Sequence, residues 1–311
     1  MRISDLRIKY RFRLYFNLLL AKLKLVRTLM VRKCYYGPFK GEFGHILAHN
    51  APFLMYLHKK GVKITYCGLQ LHAPILVDEN GKSIIHDFRP LRDFFAEVTP
   101  DMNESVPPPD VQQEIIKFEK EAKASGYPFW NIGDKFYYWD IHREFLTYGH
   151  TYLYNIRKVY RTGGPAKAVA LFPRSKGAAY SVNNGGPWDY ELLIDSIKSF
   201  VEKIYVVGHP SQSFEIRPQE KVELCITADN AVILEKCANS EVIITPHSGA
   251  VYLSEYFKNE ILLIYNGEGP IGNVWNTLRF KKSLGAEKEM AIARTYDQVT
   301  SFIKNKFNEK A

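Results

Sequence analysis

Acidic residues are almost missing from the first 33 positions, cysteine is scarce throughout, and no apolar run approaches the roughly 20 residues that cross a bilayer. Each shortage excludes something. The four cysteines, Cys34, Cys67, Cys225 and Cys237, show no Cys-x-x-Cys spacing, which argues against a disulfide framework or structural zinc and fits reduced thiols in the cytoplasm. Residues 1–33 hold ten lysines and arginines against the single Asp5, so 32 of the 42 basic and 32 of the 33 acidic residues lie beyond them. The net charge of +9 therefore belongs to one segment, and the rest of the chain is neutral. Because no basic stripe continues past residue 33, nucleic acid is not an expected partner.

What the basic segment does have is leucine. Leu14, Leu18, Leu19, Leu20, Leu23, Leu25 and Leu29 recur with Phe16, Val26 and Met30, and no proline or glycine interrupts them. The pattern predicts one amphipathic helix. Lys22 and Lys24 cut the apolar run, and no small-residue cleavage site follows, so neither a membrane span nor a cleaved secretory signal is expected. A basic helix with leucines and aromatics is suited to lie in the headgroup layer of an anionic membrane. The alternative is a helix whose leucines pack on the protein's own core.

The second half has a strand–helix rhythm. Apolar runs at 167–172, 203–207, 222–225, 241–245 and 261–265 alternate with helical patterns, clearest at 188–202 and 230–238. Parallel strands need such long crossovers, so a Rossmann-like sheet is expected. The first half is less regular. One strand–loop–helix–strand unit spans "CYYG", the loop "GPFKGEFGH", a helix over 46–60 and a strand over 62–67. A hairpin is expected around Glu79-Asn80-Gly81, then a helix after "PPPD". The aromatic stretch from Tyr127 to Tyr160 reads as mostly helical and buried. Gly163-Gly164-Pro165 suits a hinge, giving three parts: a basic helix over 1–33, a first domain over 34–162 and a second over 163–311.

Three turns carry polar and small residues at expected strand ends, where ligands of open parallel sheets collect. In "PHSGA", small residues let a diphosphate approach the backbone beside His247, and Ser248 can cap the following helix. In "FPRSKG", Arg174 and Lys176 could neutralise a departing diphosphate without metal. In "GEFGH", Glu42 and His45 lie within one turn; either could act as a general base, and His45 at a helix start would be held neutral. Glu255, nearly two turns beyond Gly249, could hydrogen-bond a ribose, and Glu268 in "NGEGPIGN" is a weaker candidate of that kind.

On these residues the chain resembles the GT-B glycosyltransferases, chiefly bacterial cell-surface polysaccharide and lipopolysaccharide enzymes of heptosyltransferase and fucosyltransferase-like kinds. The stretches "GEFGHILAHNAPFLMYLHKKG" and "CANSEVIITPHSGAVYLSEYF" carry the likeness. It implies two Rossmann-like domains with a cleft between them, Ser248, Gly249 and Ala250 near a nucleotide-sugar diphosphate, Arg174 and Lys176 on its phosphates, and Glu42 or His45 near an acceptor hydroxyl. No Asp-x-Asp motif of GT-A enzymes is present, so metal-independent transfer with no cofactor beyond the donor is expected, at the inner membrane face. Two departures stand out: the first half is short of Rossmann strands, and Glu42 and His45 occupy a loop where many relatives have Asp. A polysaccharide pyruvyl transferase using phosphoenolpyruvate, or a non-catalytic glycan-binding or assembly subunit, are the competing readings.

Overall fold

A computed structural model describes residues 8–41, 43–94, 97, 106–132, 153–175, 188–246, 248–265 and 290–308. Helix α1 (Ile8–Val31) leads through Arg32 into β1 (Lys33–Phe39). Then come α2 (Phe43–His45), a π-helical turn (Ile46–Asn50), α3 (Ala51–Lys59), β2 (Lys63–Leu69), β3 (Asp87–Leu91), α4 (Pro109–Ala124) and β4 (Phe129–Asn131). The four strands form one sheet in the order β3-β2-β1-β4, every pair parallel.

Three expectations for this half are corrected. The aromatic stretch is not mostly helical where it is described: Phe129–Asn131 is strand β4, pairing Tyr35 with Phe129 and Tyr36 with Trp130. Aromatic side chains suit a half-buried pleated surface as well as a helix. The sheet consequently has a fuller set of parallel strands than the sequence suggested. The hairpin shrinks to one antiparallel bridge, Val77 to Ser83, because the second arm leaves it and runs parallel to β2. The strand ahead of the "GEFGH" loop also extends through Pro38, with the β1–β2 register shifting between Tyr36 and Phe39, as expected where proline has no N–H for the ladder.

The second sheet follows a short helix, α5 (Arg157–Tyr160). Its elements are β5 (Ala168–Leu171), α6 (Tyr190–Ile197), β6 (Lys203–Gly208), β7 (Val222–Ile226), α7 (Asn230–Asn239), β8 (Val242–Thr245), α8 (Leu253–Phe257), β9 (Glu260–Ile264), β10 (Ala291–Ala293) and α9 (Tyr296–Asn308). Strand order is β10-β9-β8-β5-β6-β7, all parallel. Side-chain caps start its longer helices: Asp189 accepts from Leu192 N–H at 3.0 Å, and Asp229 from Ala231 N–H at 2.8 Å. The sequence reading did not assign β10 or α9. Val299, Ile303 and Phe307 of α9 are buried at a spacing of four, the apolar stripe of a helix packed on a sheet.

One apolar cluster crosses between the two lobes. It joins Tyr36, Leu47, Leu54 and Tyr66 of the first to Ala170, Val207, Ile233, Val251 and Tyr256 of the second. All four cysteines are free. Burial pushes Cys34 and Cys67 up to about 12 and Cys225 to about 11, so these thiols are packing groups and not nucleophiles.

Candidate functional site

In the second sheet the chain order reverses between β5 and β8, since β6 and β7 lie to one side and β9 and β10 to the other. Ligands of open α/β sheets collect beyond the carboxyl ends of strands at such a point. The turns leaving β5 and β8 are Phe172-Pro173-Arg174 and the Ser248-Gly249-Ala250 loop, and both line one pocket. Its described walls add Phe43 and Gly44 from the first lobe, with Gly208, His209, Gln212 and Asn230 from the second.

Each side chain is held by its own turn. The segment after β5 is zipped to the segment after β6: Phe214 N–H donates to Pro173 O at 2.7 Å, and Ser175 N–H to Gln212 O at 2.8 Å. Arg174 Nη1 then donates to Gln212 Oε1 at 2.5 Å, which aims the guanidinium along the pocket wall. After β8, three hydroxyl and amide bonds run in series. Ala250 N–H donates to Ser248 Oγ (3.3 Å), Ser248 Oγ pairs with Thr245 Oγ1 (2.8 Å), and Thr245 Oγ1 donates to Pro246 O (2.9 Å). Ser248 thus caps a 3-10 turn, Gly249–Tyr252, which passes into α8.

Two glycines bring the lobes together. A Cβ on Gly249 would sit 2.3 Å from Gly44 Cα, and one on Gly44 would sit 2.7 Å from Gly249 Cα. Only a residue without a side chain fits either position. Around this contact the π-helical turn is fastened by buried groups. Tyr256 Oη of the second lobe donates to Leu47 O at 2.6 Å, Asn50 Nδ2 donates to His45 O at 3.2 Å, and Tyr36 Oη donates to Asn50 Oδ1 at 2.6 Å. Single π-turns inside α-helices are frequent at functional sites.

The loop from β1 to Gly44 is anchored from below. His72, fully buried, bridges Gly41 O through Nε2 at 3.2 Å and Tyr66 Oη through Nδ1 at 3.1 Å. A carbonyl can only accept, so Nε2 carries the proton and Tyr66 donates to Nδ1. Burial lowers the His72 pKa to about 3, so the ring is neutral. Between the unfolded value near 6.5 and this lowered value the unfolded chain binds the extra proton, so the His72 contribution to stability is full above about pH 6.5 and is lost as pH falls towards 3. His72→Gln is expected to flatten the decline of urea-unfolding stability over that range relative to the unsubstituted chain.

Of the residues singled out in the sequence, Arg174, Ser248, Gly249 and Ala250 share the pocket. His45 and Glu255 do not line it, although His45 directly follows Gly44; its ring lies 5.8 Å from that of His49. Glu42, Lys176, His247 and Glu268 lie outside the described residues. Sequence reasoning missed His209, Gln212 and Asn230. The signal was present: "GHPSQS" leaves β6 as a polar, glycine-containing turn, just as "PHSG" leaves β8. Among the described residues, no three His, Cys, Asp or Glu side chains are grouped as metal ligands.

Among solved structures the chain is similar to E. coli heptosyltransferase WaaC with ADP-2-deoxy-2-fluoro heptose, at a TM-score of 0.50 and 12% identity, over 90% of this chain and 100% of that one. The fold is GT-B. A structure of the same E. coli enzyme with ADP gives a TM-score of 0.46 at 12% identity, covering 89% of this chain and 97% of that one. No family model matches the chain, and no curated protein matches it in sequence. In GT-B terms, the pocket at the β5/β8 switch point opens onto the gap between the two Rossmann-like lobes, and Gly44 and Gly249 mark where those lobes touch.

Proposed function

We propose that this protein is a glycosyltransferase that moves a sugar from a nucleotide-diphosphate donor to a cell-surface glycan or lipid-linked acceptor, without a metal ion. The observation that carries this reading is the convergence of Arg174 with Ser248, Gly249 and Ala250 on one pocket at the switch point, walled from the other lobe by Phe43 and Gly44. In the reaction an acceptor oxygen forms its bond to the sugar C1 as the bond from C1 to the diphosphate oxygen breaks. The electron pair leaves on the diphosphate, where Arg174 and Lys176 supply positive charge and the main chain at Gly249 and Ala250 supplies close approach. The hydroxyl proton passes to Glu42 or His45, which flank Phe43 and Gly44 in the sequence.

The heptosyltransferase that shares the fold was solved with an ADP-linked sugar analogue, so ADP-sugars are the first donors to try. A screen of nucleotide sugars for donor hydrolysis, which needs no acceptor, tests the reading. Turnover of at least one supports it; binding of phosphoenolpyruvate and of no nucleotide diphosphate would overturn it.

The acceptor side of the proposal rests on α1. No described helix is long and apolar enough to cross a membrane. Yet Phe12, Phe16, Leu19, Leu23, Val26 and Met30 recur at alternating spacings of four and three, and all are exposed. They form one apolar arc along the helix, with Arg13 and Lys22 on its two flanks. The opposite face is used up within the protein: Leu18, Ala21 and Thr28 are buried and Lys24 donates to Phe129 O at 3.1 Å, while Arg27, beside the arc, donates to Gly126 O at 2.7 Å. An apolar arc between basic flanks matches an anionic lipid surface, so α1 would hold the enzyme at the inner membrane face beside its acceptor. Phe16→Glu with Leu23→Glu is expected to abolish flotation with phosphatidylglycerol vesicles; undiminished flotation would refute the membrane role.

A further inference from the structure

A hydrogen-bonded pair bridges the lobes at a second place, away from the glycine contact. His209, on the pocket wall after β6, meets Asp93 of the loop after β3, with Nε2 2.9 Å from Asp93 Oδ2. His209 Nδ1 accepts from Ser211 N–H at 3.3 Å, so the proton sits on Nε2 and is donated to the carboxylate. The ring is thereby fixed from the donor-side lobe.

Asp93 is fixed just as firmly from the other lobe. On one side of it Arg92 pairs with Asp110, at 3.0 Å through Nη2, and with Glu97. On the other side Phe94 is wholly buried against Leu69, Leu91 and Phe118. With its neighbours tied outward and inward, Asp93 projects across the gap.

A third tie, Asn230 Nδ2 to Leu71 O at 2.7 Å, also spans the lobes but ends on a backbone carbonyl. The Asn230–Leu71 and Tyr256–Leu47 bonds each end on a backbone carbonyl, whereas the His209–Asp93 bond joins two side chains, both of which can be substituted.

We propose that Asp93 and His209 are positioning residues for glycosyl transfer: their hydrogen bond fixes the acceptor-side loop against the wall of the donor pocket. The inference rests on the transferase reading. Neither residue takes the acceptor proton; together they set the distance over which the acceptor oxygen must reach the sugar.

The test uses the full chain with Asp93→Ala, His209→Ala, the double substitution and His209→Gln, whose amide N–H can replace the imidazole donor. Three quantities are read: Kd for ADP by calorimetry, kcat for whichever nucleotide sugar the unsubstituted protein cleaves, and the lobe-to-lobe distance between spin labels at Gln113→Cys and Glu220→Cys. Each alanine variant is expected to lower kcat at least about tenfold, as misplacement of reacting groups does, with the distance distribution broadened and, for Asp93→Ala, at a residue that does not line the pocket, Kd for ADP unchanged. The double variant is expected to be no worse than the worse single one, and His209→Gln to recover most of the rate. Unchanged kcat and distances in both alanine variants would overturn the proposal, as would a loss of ADP affinity in Asp93→Ala equal to its loss of rate. If the unsubstituted protein binds no ADP and cleaves no nucleotide sugar, the transferase reading fails instead, and the spin-label distances still decide whether the pair sets the spacing of the lobes.

Discussion

Gly249→Ala is expected to abolish binding of nucleoside diphosphates and to lower the melting temperature by a few degrees. The added methyl would lie 2.3 Å from Gly44 Cα and 2.4 Å from Gly44 N, so the atoms in its way are backbone and not the end of a flexible side chain. Forcing extra carbon into a close-packed place costs about 1–3 kcal/mol, and here the strain can be relieved only by moving one lobe off the other. Because the displaced turn is the one carrying Ser248 and Ala250, the pocket loses its floor at the same time. Gly44→Ala meets the same obstacle from the other side, at 2.7 Å, and is expected to reproduce the effect in milder form. Calorimetry with ADP and thermal unfolding would check both; wild-type behaviour of Gly249→Ala would mean that the turn does not need this contact.

Arg174→Ala is expected to leave the fold intact and to reduce turnover of the donor by about 10²–10³-fold, the range seen when one preorganised group facing developing charge is removed. The guanidinium is oriented by Gln212 at 2.5 Å and its backbone by the bridge to Ser213, so on the proposed function it would meet a departing diphosphate without first being ordered. Arg174→Lys keeps the charge but not the planar fork, and is expected to fall between the two. Arg217, whose side chain is 85% exposed, provides a control: Arg217→Ala should change nothing. A fall in turnover no larger for Arg174→Ala than for that control would remove Arg174 from the site.

Much of the second lobe was legible in the sequence because its signals are local. A run such as "EVIIT" is apolar and β-branched, and "ADNAVILEKCAN" opens on a capping Asp, so strand and helix can be read without knowing their neighbours. The turns at Arg174 and Ser248 followed from the rule that strand ends of parallel sheets bind ligands. The first lobe resisted because its signals depend on partners. Whether "FWN" becomes strand or helix is settled by pairing with Tyr35 and Tyr36, nearly a hundred residues earlier. Asp93 and His209 could not be found singly either; an isolated Asp and an isolated His in loops say little until the fold sets them 2.9 Å apart. His72 resembles any loop histidine in sequence, and only its complete burial under Gly41 gives it a task.

The apolar cluster that runs without a break from Tyr36 to Tyr256 also limits how such a chain can diverge or be engineered. In a protein assembled from separable modules, one half can be exchanged for that of a relative to alter donor or acceptor preference. Here each half supplies part of the other's interior, so a graft that brings foreign side chains to Leu47, Val207 or Val251 leaves gaps or collisions at the seam. Recombination at this joint therefore has to carry the seam residues as a set, and new specificity is more accessible through the surface turns that ring the pocket.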